Sequence, residues 1–184
     1  MAWKHGLSSL LAFLVVLASY QLVLAVIPLT PAQESTLHFL RSNTPLPLPY
    51  IPEERSHLRD VQHVMWGADV LGGGLLFIFL LGFFRLNTKK REEVLQAGGK
   101  YALIICLLLL LLVGVLFPLT FTGFHLLLFP QGNWQFSPDS LLIKTFPLIF
   151  FQEFSAALFF LAFLGGLVLW RGKQALQFLC NKFS

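Results

Sequence analysis

Charged residues are scarce in this 184-residue chain, at 12% against the ~25% of an ordinary soluble domain. That scarcity excludes a water-soluble globule. A hydrophobic content of 56% and a mean hydropathy of +0.73 place the chain in a bilayer instead. Cysteine is nearly absent. Cys106 sits in an apolar run and Cys180 near the C-terminus, which excludes a disulfide framework or a cysteine metal motif and leaves two inert thiols. Acidic residues are few, nine against thirteen Lys and Arg, for a net charge of +4. A basic excess invites a nucleic-acid partner. Here the basic residues lie in loops between apolar runs, so they report topology and no nucleic acid is expected. Also missing are a serine nucleophile elbow, a phosphate loop, an HExxH zinc motif and any internal repeat. Any catalysis therefore falls to histidine and carboxylate.

What the chain does have is four apolar runs, about 7–27, 64–84, 101–120 and 146–170, each near the ~20 residues that cross a bilayer. They predict an all-α polytopic membrane protein. It is one integral membrane domain of four transmembrane helices, with an extracytoplasmic cap formed by two outer loops, about 28–63 and 121–145. The first run carries signal-peptide features, Lys4 and His5 before it and Val23-Leu24-Ala25 within it, but is long for an h-region and reads as an anchor. Nine of the thirteen basic residues, namely Lys4, Arg85, Lys89, Lys90, Arg91, Lys100, Arg171, Lys173 and Lys182, fall on one side. The positive-inside rule puts that side, both termini and the loop 85–100 in the cytoplasm.

Within that loop, Asn87–Gln96 reads as a short surface helix at anionic lipid, stopped by Gly98-Gly99. Pro45, Pro47, Pro49 and Pro52 suit an extended strap in the first outer loop. From Glu53 to His63 no Gly or Pro intervenes, and the acidic start favours a helix N-terminus. This segment reads as the extramembrane first turns of the second span. Pro130-Gln131-Gly132-Asn133 reads as a turn, with Trp134 and Phe136 at the interface. Pro147 suits the first turn of the fourth span.

Two histidines stand out, because imidazole exchanges protons near neutral pH. His57 and His125 each close a polar stretch against an apolar helix, on the same face of the membrane. Asp60, three residues from His57, shares its helix face and can hold the imidazole's tautomer; the competing reading is an ordinary surface pair. His63 faces differently by about 120° and reads as interfacial. His125 is a lone polar side chain among apolar ones, read either as functional or as snorkelling to headgroups. Asp69 and Glu153 lie inside spans and need a partner or a proton. They read as packing between helices, with Arg55, Arg59 or Lys144 in reach. Gly72-Gly73-Gly74 and Gly165-Gly166 read as close helix approaches, the other reading being a gap that admits lipid.

These residues carry a resemblance. Glu54-Arg55-Ser56-His57-Leu58-Arg59-Asp60-Val61 resembles an ER-x-H-x-x-DV block ahead of a second span. Phe124-His125, Phe129 and Asn133-Trp134-Gln135-Phe136-Ser137-Pro138-Asp139 resemble an FH…F…nW.fdP block. In this order within four spans they look like the lipoprotein intramolecular transacylase family. Ser137 departs from an acidic residue and Gln62 from a basic one. The resemblance implies a bacterial cytoplasmic (inner) membrane enzyme with an extracytoplasmic active site. Such an enzyme acts on diacylglyceryl-modified lipoproteins. It moves the sn-2 acyl chain of the N-terminal cysteine onto that cysteine's α-amino group, giving the lyso form. It implies His57 and His125 as the catalytic residues. We set Asp60, Arg55, Trp134 and Asp139 beside them as orienting or supporting residues. No metal or organic cofactor and no obligate protein partner is expected beyond lipoprotein and membrane lipid.

Ester aminolysis fits two histidines: one neutral imidazole as base, one protonated imidazole for the oxyanion or leaving group. The two must lie within about 10 Å to hydrogen-bond one reacting group. Competing readings are a bis-histidine haem electron-transfer protein, a non-catalytic membrane scaffold or transporter, and a metal hydrolase using His57, Asp60 and His125.

Overall fold

The computed structural model describes residues 2–42, 44–46 and 49–183, with side chains described for residues within 3–172. Pro47 of the strap, and the side chains of Lys173, Cys180 and Lys182, lie outside the described residues. The described residues are helical, with no strand: α1 (Ala2–Val26), α2 (Pro31–Arg41), α3 (Pro52–Phe84), α4 (Thr88–Leu128), α5 (Leu141–Thr145) and α6 (Leu148–Phe183). Four of them, α1, α3, α4 and α6, are long and apolar enough to cross a membrane. At 33 and 41 residues, α3 and α4 rise roughly 50 and 60 Å, well beyond a hydrocarbon core of about 30 Å. Their ends therefore project past it. The first turns of α3, with His57, and the last turn of α4, with His125, are such ends.

α4 packs on α6 and on α1, while α3 packs on α1 and, at its start, on α2. Glycine sets the tightest crossing. A Cβ on Gly99 would stand 2.6 Å from the Gly166 carbonyl oxygen and 2.7 Å from the Trp170 nitrogen, and one on Gly98 2.8 Å from Leu11. Gly98-Gly99 therefore does not end a short surface helix, as its sequence suggested. The helix capped by Asn87 runs straight through it. Glycine inside a helix costs about 1 kcal/mol relative to alanine, and in a bilayer close backbone packing offsets that. Gly166 behaves as expected of it. Gly72 meets Leu17 at 3.2 Å, whereas Gly73 and Gly74 have nothing within 4 Å and bring no helix close. Gly72 and Gly73 instead line a groove of about 560 Å³ between α1 and α3.

α4 bends at Leu116 (φ −122°, ψ 30°), two residues before Pro118. Proline has no N–H and its ring crowds the preceding turn, so the bend has a local cause. The Thr120 hydroxyl donates to the carbonyls of Leu116 and Phe117 at 3.2 and 3.0 Å.

One end of the bundle is basic. Lys4 pairs with Glu93 at 3.0 Å, Lys90 lies over Trp3, and Lys100 and Arg171 lie against Trp170. The other end carries the cap. The first outer loop contains a helix, α2, that its sequence reading left out; the described residues of the proline segment after it, 44–46 and 49–51, are non-helical. The Thr30 hydroxyl accepts from the Gln33 N–H, and the Gln33 side chain accepts from the Thr30 N–H, a reciprocal box with Pro31 at the first helical position. Phe39 and Leu40 of α2 then pack with Tyr50, Leu58 and Leu142 in the cap's own core. Gln62 donates to the carbonyls of Phe39 and Ser42 at the C-terminal end of α2, and Gln33 donates to Thr145 of α5. The second outer segment is shorter than expected, because α4 continues to Leu128.

Candidate active site

His57 lies on the second turn of α3 and His125 on the last turn of α4. Both are buried, and their ring centroids are 6.0 Å apart at 30°. That separation is well inside the reach needed for both to hydrogen-bond one reacting group. Aromatic rings enclose them. Phe129 and Phe136 stand against His57, at 4.8 and 5.7 Å, and Phe121 and Trp134 against His125, at 4.1 and 4.9 Å. The chain after α4 supplies this wall. Gly132 sits at φ 79°, a left-handed conformation that glycine adopts without strain, and the resulting turn brings Asn133 and Trp134 back over the pair.

Glu54 fixes the start of α3. Its carboxylate is 1% exposed and accepts from two backbone N–H groups, Ile51 at 3.0 Å and Leu142 of α5 at 2.9 Å. A buried carboxylate needs such donors. They join α3 to the second outer segment one turn before His57.

The hydrogen bonds assign one tautomer. His125 Nδ1 lies 2.8 Å from the Phe121 carbonyl oxygen. A carbonyl only accepts, so Nδ1 carries the proton and Nε2 keeps its lone pair. Asp60 is not the direct partner of His57 that its spacing suggested. Its carboxylate accepts from Asn133 at 2.6 Å and Gln131 at 3.0 Å. An amide beside a carboxylate must present its NH₂, so Asn133 Oδ1 faces away from Asp60. Among the described residues, three buried polar atoms have no hydrogen-bond partner: His57 Nδ1, Asn133 Oδ1 and Trp134 Nε1. Each such orphan costs about 1–3 kcal/mol, and orphans of this kind gather where a ligand or a small closure completes them.

The charge balance disfavours imidazolium. Burial lowers the His57 pKa to about 4, helped by His125 and opposed by the Asp60 carboxylate and the Asn133 amide. Burial also lowers that of His125, opposed by its bond to Phe121. Both rings are neutral at pH 7.

The remaining candidates lie elsewhere. Arg55 points away from the pair, donating from Nε to the Tyr50 carbonyl at 2.6 Å; two residues along a helix turn it some 160° from His57. Asp139 forms an exposed pair with Lys144 at 3.7 Å. Asp69 meets none of the cations expected for it. It accepts from Gln21 at 2.5 Å, and Gln21 in turn accepts from Arg41 at 3.0 Å. Glu153 is exposed and makes no hydrogen bond or ion pair among the described residues. Asn133 is the residue sequence reasoning missed, although the nW block contains it. Among the described residues no group of three or more His, Cys, Asp or Glu could hold a metal ion.

Two buried imidazoles paired at the end of a four-helix membrane bundle make a membrane-integral site equipped for proton transfer beside lipid. The model of the lipoprotein intramolecular transacylase Lit family matches residues 29–151, and the chain belongs to that family, which makes it an acyltransferase. Its fold is that of the membrane integral lipoprotein intramolecular transacylase Lit from Bacillus cereus, with 19% identity, a TM-score of 0.76 and coverage of 100% of this chain and 99% of that one. A histidine-to-arginine variant of the same protein matches at 20% identity and TM-score 0.77, covering 98% and 93%. No curated protein sequence gives a significant match.

Proposed function

We propose that the enzyme moves the sn-2 acyl chain of a diacylglyceryl-modified N-terminal cysteine onto that cysteine's own α-amino group, leaving a lyso-form lipoprotein. The observation that carries this reading is the 6.0 Å pairing of two buried, neutral imidazoles in a chain of the transacylase family. The amine nitrogen adds to the ester carbonyl. The new C–N bond forms, the C–O bond to the glyceryl oxygen breaks, and the proton lost by nitrogen ends on that oxygen. Because amine and ester belong to one molecule, orientation replaces a covalent nucleophile.

His57 is the base. A small closure of Asn133 lets its Oδ1 accept from His57 Nδ1–H, completing a chain Asp60–Asn133–His57 and leaving Nε2 as the proton acceptor. Asp60 thus orients His57 through an amide. His125, with Nδ1–H held by Phe121, presents Nε2 to the same space and shuttles the proton toward the leaving oxygen. The basic end of the bundle faces the cytoplasm of the bacterium by the positive-inside rule. That puts the cap and histidines on the extracytoplasmic side of the cytoplasmic membrane, where lipoproteins and membrane lipid are the partners.

The test replaces His57 and His125 singly with asparagine and determines the N-terminal structure of a co-expressed lipoprotein by mass spectrometry. The expected result is diacylglyceryl cysteine with a free amine in both variants. Full conversion to the lyso form in both would sink the two-histidine mechanism.

A further inference from the structure

We propose that the indole N–H of Trp134 is a catalytic donor that holds the oxyanion formed when the amine adds to the ester carbonyl. This rests on the acyl-transfer reading above. Of the three buried orphan atoms, His57 Nδ1 and Asn133 Oδ1 are a donor and an acceptor that the closure of Asn133 would pair. Trp134 Nε1 remains, and it is a donor only. Its ring lies 4.9 Å from that of His125, tilted by 40°, so the spare donor sits beside the proton-transfer groups.

The reaction needs such a donor. Addition turns a carbonyl into an alkoxide, and that charge develops in a wall of Phe121, Phe129 and Phe136 rather than in water. A fixed N–H in a dry site stabilises it without reorganisation. Neither imidazole brings a positive charge to the start of the addition, since burial holds both neutral in the resting site. The Nδ1–H of His125 is already given to Phe121. Indole is suited to the role because it donates a hydrogen bond and keeps its proton. The proton from nitrogen stays on the histidine route to the glyceryl oxygen, and collapse of the alkoxide restores the carbonyl as the new amide.

The experiment is Trp134→Phe in purified enzyme reconstituted in phosphatidylglycerol vesicles. Lyso-lipoprotein formation is followed by mass spectrometry against substrate concentration. Phenylalanine keeps an aromatic ring against His125 and removes the N–H. The expected result is a kcat lowered about 100-fold or more, with KM within about twofold. A kcat within about threefold of wild type, or a raised KM with kcat unchanged, overturns the proposal and leaves Trp134 a packing or binding residue. If Trp134→Phe fails to fold, β-(3-benzothienyl)alanine at the same position replaces only the N–H by sulfur, and the same two outcomes decide. Wild-type enzyme that makes no lyso-lipoprotein would remove the function itself. Active wild type with an equally active variant removes this inference alone.

Discussion

At the scale of single residues the site is a problem of proton placement. Burial pulls His57 down to about 4, so the base itself stays neutral in mild acid. Single-turnover rates between pH 3.5 and 8 are expected to follow the substrate's α-amine, whose ordinary pKa is about 7.7–8.0, with the His57 limb displaced to about 4 and no separate limb near 6.5. Folding has the same sign. Between pH 6.5 and 4 the unfolded chain takes up a proton that folded His57 refuses, so the stability present above pH 6.5 is lost as pH falls through that window. Asp60→Asn removes the carboxylate that favours the cation and the acceptor that holds Asn133. The rate is expected to fall on the order of 10–100-fold, part of what a positioned base contributes, with the His57 limb moving lower still. An unchanged rate and limb would dismiss the relay. The two histidines were legible in the sequence because an ionisable group against an apolar helix is conspicuous. Asn133 was not: an amide's role depends on which carboxylate it meets, here 73 positions away.

At the scale of elements the legible part was apolar length, and the illegible part was what a glycine touches. Gly98-Gly99 and Gly73-Gly74 look alike on paper. One pair lies inside a helix crossing, and the other has nothing within 4 Å. Gly99→Val would drive side-chain atoms into the backbone of α6 at Gly166 and Trp170, which cannot yield as a flexible side chain would. It is expected to lower stability by about 1–3 kcal/mol or more, read as a drop in Tm in detergent. Gly73→Ala is expected to be neutral or to stabilise by up to about 1 kcal/mol from helix propensity alone. Equal Tm changes would contradict the packing described for α4 and α6. The helix α2 was announced in the sequence by Thr30-Pro31-Ala32-Gln33, a capping box with proline inside it. The prolines from Pro45 onward lie beyond its end and carry no signal for it.

At the scale of the whole molecule, asymmetry of charge sets orientation and asymmetry of structure sets function. The basic end is clamped by Lys4 to Glu93 and by aromatic contacts. The opposite end is built from hydrogen bonds among α2, α3 and α5. Positive-inside orientation predicts that Ser137→Cys, in a Cys180→Ser background, reacts with a membrane-impermeant maleimide on intact cells. Asn87→Cys is expected to react only after permeabilisation, and the reverse pattern would invert the proposed sidedness. Four spans and their order could be read from hydropathy, since burying apolar length in lipid is a local requirement. The two loops that form the cap could be read as well, but the cap's core could not, because it joins Phe39, Tyr50, Leu58 and Leu142 from segments with no periodicity in common.

The bend in α4 has a mechanical meaning. Beyond Leu116 the helix is a lever arm, and His125 rides nine residues out, roughly 13 Å from the fulcrum. Each degree of swing carries the imidazole about 0.2 Å, so two or three degrees consume the ~0.5 Å tolerance of a preorganised site. Such a swing would meet an aromatic stop, because Phe121 on the outer arm lies against Phe151 of α6 at 5.3 Å. The alignment of the two histidines is thus gauged by a phenylalanine on α6, outside the rings that wall them.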